Sequence, residues 1–119
     1  MSYPSVELIL YKAPTLEGVI VTPELVRDEL LVCFESANKE FSKLMAQPVT
    51  DEALKGQVRM FVESVFQKCG ASFTTPTKWG ITTAIGECKT NAETMMGPQG
   101  TNIIQHHYEE MMKLVNRLP

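Results

Sequence analysis

The chain has 119 residues, of which 44% are hydrophobic and 21% charged, with a net charge of −3 at pH 7. That length suits one compact domain around one core, and the composition is that of a folded chain, not a disordered one. Mild acidity, with basic residues dispersed singly from Lys12 to Arg117, excludes a basic nucleic-acid-binding face, and no apolar run nears the roughly 20 residues a membrane helix needs.

The opening MSYPSVELILYKAP places no basic residue ahead of its short apolar stretch, so a secretory leader is not expected. Residues 5–11 and 18–21 are apolar and rich in β-branched or aromatic side chains, with Ala13-Pro14-Thr15 and Glu17-Gly18 between them. They predict an extended arm or hairpin over residues 1–22.

Thr22-Pro23 opens a helix: the threonine supplies an acceptor for free N–H groups, and proline lacks the donor that would go unpaired. Val26, Leu30, Cys33, Ala37, Phe41 and Leu44 form one stripe over 23–46, with Glu35–Lys39 as an outer pair. Pro48 ends it. Thr50-Asp51-Glu52 caps a second helix, 50–69, with Leu54, Val58, Phe61, Val62, Val65 and Cys69 inward, an outer Asp51–Lys55 pair, and Gly70 as the stop.

Thr75-Pro76 repeats the start signal, and Ile81, Ile85, Cys88, Ala92 and Met95 predict a third helix over 76–96. The alternation of Trp79, Ile81, Thr83 and Ile85 keeps a strand or hairpin at 72–86 as the alternative, because threonine and glycine are poor helix formers. Ile104, Tyr108, Met111, Val115 and Leu118 stripe a fourth helix, 101–118, with an outer Glu109–Lys113 pair. The expected fold is therefore all-α, an antiparallel four-helix bundle in one domain of residues 1–119 with an N-terminal extended arm or hairpin; the alternative is α+β. Residues 6–45, a short apolar stretch leading through Val19-Ile20-Val21-Thr22-Pro23 into a long helix, resemble segments in the stems of dynein heavy chains. That resemblance includes no functional motif and implies no function.

The chemically richest stretch is His106-His107-Tyr108-Glu109-Glu110. Adjacent helical residues point about 100° apart, so the two histidines do not share an ion easily. Neither Glu-x-x-His nor His-Glu-x-x-His occurs. The expectation is one boundary histidine, His107, and one exposed, His106, with His107 the weak candidate for a metal ligand. Cys33, Cys69 and Cys88 are odd in number and lack a Cys-x-x-Cys; on apolar stripes they read as small core hydrophobes in a reducing, cytoplasmic setting. MGPQGTN, residues 96–102, lacks a phosphate-loop lysine and reads as an inter-helix turn.

Methionine stands out, in Met95-Met96 and Met111-Met112. Two adjacent methionines cannot share one narrow stripe, so Met95, Met96 and Met112, together with Trp79, are the candidate interaction surface. No catalytic constellation is visible. The expected function is a small intracellular helical protein-interaction module that self-associates, with no cofactor, no nucleic acid and no membrane. The alternatives are a small-molecule or metal-binding bundle with Cys33, Cys69, Cys88 and His107 lining its interior, or an enzyme with an unlocated Cys or His site.

Overall fold

The computed structural model describes residues 10–119. Four α-helices follow in order: α1 (Pro23–Leu44), α2 (Asp51–Lys68), α3 (Lys78–Met96) and α4 (Thr101–Val115), with one 3₁₀ turn at Pro98–Gly100. No strand forms among the described residues, and residues 10–22 have neither helix nor strand. The part of the expected arm that falls before residue 10 lies outside the described residues.

Threonine starts the first three helices. The hydroxyl oxygens of Thr22, Thr50 and Thr77 accept hydrogen bonds from the N–H groups of Leu25, Ala53 and Gly80, which the first turn would otherwise leave open. The third start falls at Thr77 and not at Thr75-Pro76. Thr75 instead closes a turn with Ser72, whose hydroxyl accepts the Thr75 N–H at 3.0 Å. That turn is held by Arg27, which donates to the carbonyls of Phe73 (2.9 Å) and Thr74 (3.1 Å). Arg59 joins it near Phe73, each guanidinium 5.4 Å from the ring centroid.

The strand alternative for 72–86 is overturned by helix α3, and the physical reason lies in its threonines. Thr82, Thr83, Thr90 and Thr94 each donate to the carbonyl four residues earlier, so a side chain that disfavours a helix in isolation is satisfied on this one. Burial then decides: Ile81, Ala84, Ile85, Cys88 and Ala92 are all buried at helical spacing.

α1 packs against α4, α2 and α3, while α3 packs against α4, α2 and α1, so α2 and α4 lie to either side of an α1–α3 pair. One apolar cluster fills the space between them. Val26, Leu30, Cys33 and Ala37 are buried as the stripe predicts, but Phe61 is only half-buried, against Phe34 at 5.7 Å. Phe66 takes the interior place and packs edge-on against Phe73 at 5.3 Å. The expected outer pairs also change partners, since Lys39 reaches Asp51 at 3.9 Å and Lys113 pairs with Glu110.

α1 and α2 end in the same way. The amides of Gly70 and Ala71 bond back to the carbonyls of Gln67 and Phe66, and those of Ala46 and Gln47 to Lys43 and Ser42. The residue at the turn needs a left-handed backbone, and glycine takes it freely at position 70 (φ 71°) whereas alanine is strained at position 46 (φ 54°). Ala46→Gly should therefore raise stability by about 0.5–1 kcal/mol in urea denaturation. A lowered midpoint would mean that α1 does not end in this turn.

Candidate functional site

His106, Glu110, Lys113 and Arg117 recur along one edge of α4, because steps of three and four residues return to nearly the same side of a helix. Three of them hold the N-terminal segment. His106 donates from Nε2 to the carbonyl of Tyr11 at 2.6 Å, Glu110 accepts the Ala13 N–H at 2.9 Å, and Arg117 donates to the carbonyls of Thr15 and Leu16. The contacts fall on main-chain atoms of residues 11, 13, 15 and 16. From α1, Glu29 accepts the Tyr11 hydroxyl at 2.7 Å.

His107 lies deeper, 2% exposed. Its Nδ1–H donates to the Ile103 carbonyl at 2.6 Å, which leaves Nε2 as the acceptor for the Ser36 hydroxyl at 3.3 Å. The Ile103 carbonyl fixes a proton on Nδ1, and burial favours the neutral ring over the imidazolium. Burial moves its pKa below the usual histidine value; His106 acts in the same sense, against the Ile103 carbonyl, Glu40 and Glu110. The Tyr11 ring stacks over it at 6.1 Å and 20°, while the His106 ring stands almost perpendicular at 5.5 Å. His107 is thus a core residue, deeper than the boundary position expected, and His106 is half-buried under the segment it holds.

Glu110, 7% exposed, is buried beside Lys113 and the Ala13 amide. The Lys113 hydrogen bond does most to hold its carboxyl below the usual range, with desolvation opposing. Glu109 is exposed and accepts a hydrogen bond from Gln105 at 3.0 Å. So the four polar residues of this stretch do not converge on one point: two grip a backbone, one is core and one faces solvent. Among the described residues, no three His, Cys, Asp or Glu side chains gather as a metal ion would need.

The cysteines offer no activated nucleophile. Cys33 and Cys88 are buried, and desolvation pushes the Cys33 thiol well above its usual range and that of Cys88 up to about 12. Burial and Glu87 also raise Cys69. A catalytic thiol needs the opposite shift. Cys33 does meet α4, with its thiol 3.6 Å from the His107 carbonyl. The void these two residues share with Leu30, Ile85 and Met111 is about 10 Å³, room for no more than a single water.

Space of another kind opens where α1, α2 and α3 diverge. Phe41, Val58, Phe61, Ala92, Met95 and Met96 line an open groove, with Asn38 and Gln57 at its polar positions. Met95 is 74% exposed, whereas Met96 is half-buried and lies over Gly100, where an added Cβ would come within 2.5 Å of the Met96 Cβ. The glycine lets the α3–α4 turn close under that methionine. Trp79 is 72% exposed at the opposite end of α3, and Met112 is half-buried against the core. The four residues predicted as one surface therefore include one pair that shares a groove, Met95 and Met96. Phe41 and Phe61 complete that groove, although the stripes of α1 and α2 point both toward the core. Comparison with family models, curated proteins and solved structures finds no match to this chain.

The His107 environment predicts a pH dependence. The unfolded chain takes up a proton at its histidines near pH 6.5, while buried His107 resists it, so falling pH favours unfolding between 6.5 and the lowered folded value. His107→Gln should flatten the loss of stability measured by urea denaturation between pH 7.5 and about 5.5. An unchanged slope would place the titrating group elsewhere.

Proposed function

We propose that this chain is a small helical protein-interaction module that associates with itself through the groove of α1, α2 and α3. In this reading the four helices form an antiparallel bundle, as their short connections favour, and an extended N-terminal arm crosses α1 and α4. The observation that carries the proposal is the groove itself. It is built from Phe41, Phe61 and Met95, large apolar side chains left half-buried or exposed where the bundle had core positions to offer. Methionine adapts its shape to a partner, and an aromatic anchor beside it supplies area at low entropic cost. Leu44, which ends α1, and Met45 just after it, 41% and 39% exposed, lie three and four residues beyond Phe41 and extend the apolar surface. A cytoplasmic location fits the three free cysteines.

Met95→Glu tests this directly. Met95 is exposed, so the variant should keep the far-ultraviolet circular dichroism of the wild type. A charge placed in an apolar contact is costly once water is excluded, so self-association measured by sedimentation velocity should weaken at least tenfold. A wild type that stays monomeric at all concentrations, or an association indifferent to Met95→Glu, would contradict the proposal.

A further inference from the structure

We infer that residues 11–16 are exchangeable between copies: the edge of α4 that grips this segment can grip the same segment of a second chain. The inference goes beyond the groove-mediated association proposed above: it adds a second route by which two copies meet, along the edge of α4. Three observations carry it. The grip is made mostly on main-chain atoms, by His106, Glu110 and Arg117, from residues nearly a whole chain length away in sequence. A backbone held in this way is read identically whichever copy supplies it.

The junction where the segment ends at Leu16 and the link to α1 begins is strained. Leu16 adopts φ 49°, a left-handed conformation unfavourable for a branched side chain, followed by Gly18 at φ 73° and a tight turn closed by the Val19 amide on the Leu16 carbonyl. Opening that turn releases the strain, and short strained hinges favour exchange over closure. Val19 and Ile20, directly after the turn, are 47% and 77% exposed. Two opened links running past each other would cover both, which the closed monomer leaves in water.

Deleting Gly18 and Val19 from the full chain removes the turn while leaving residues 11–16 and their receptor edge intact. The variant should run in light scattering at twice its own chain mass, which is slightly below the 13.3 kDa of the full chain. Adding Glu110→Ala and Arg117→Ala should return it to a monomer. A helical but monomeric deletion variant, or a dimer that survives loss of Glu110 and Arg117, would overturn exchange. A dimer dissolved by Met95→Glu would assign association to the groove and overturn exchange while sparing the function proposed above. Should the deletion prevent folding, wild-type chains of two isotope labels, unfolded together and refolded at high concentration, give the same answer. Exchange predicts a nuclear Overhauser contact between Tyr11 of one label and His107 of the other, and its absence refutes exchange.

Discussion

A carboxylate buried at a helix edge must be paired or protonated, and most of this molecule's N-terminal geometry follows from how Glu110 is paired. Lys113 comes from the next turn of the same helix, but the second partner, the Ala13 amide, comes from the far end of the chain. That bond ties residues 11–16 to α4. His106 and Arg117 then extend the grip to either side, and Tyr11 closes over His107. The buried imidazole in turn fixes Ser36 of α1 against α4. A polar network of this kind does little for net stability compared with an apolar core of equal volume, but it admits one arrangement of the chain and penalises others.

The apolar half of the fold is built differently. Ile81, Ile85, Met111 and Phe66 are 2% exposed or less, and burial of that kind has no directional preference. It decides that helices pack, whereas the hydrogen bonds of His106, Glu110 and Arg117 decide which side of α4 the N-terminal segment covers. The proposed interaction groove lies on the other side of α1, among α1, α2 and α3, so the two features use separate surfaces of one helix.

Local signals were legible in the sequence. Thr22 and Thr50 cap where their positions predict, Gly70 ends α2, and the Val26–Ala37 stripe is core. Each is settled by residues within a few positions of one another. The α3 start was misplaced by two residues because Thr75 and Thr77 carry the same hydroxyl, and only the competing turn with Ser72 separates them. Spacing along α2 points Phe61 inward and passes over Phe66, because the two faces are separated by packing against Phe34 and Phe73, which spacing does not encode. The histidine–glutamate stretch was the hardest case. Its chemical composition suggests ligands, yet the partners of His106 and Glu110 are backbone atoms of Tyr11 and Ala13, and no motif in α4 announces a backbone partner.

The grip of α4 on the N-terminal segment is tested most directly at the amide of Ala13, the one donor that Glu110 must find to be satisfied from outside its own helix. Amide hydrogen exchange followed by nuclear magnetic resonance should show Ala13 protected to a degree like that of the α1 interior. The protection should vanish in Glu110→Ala while α1 stays protected. An Ala13 amide that exchanges in the wild type as freely as in an unfolded chain would contradict the account.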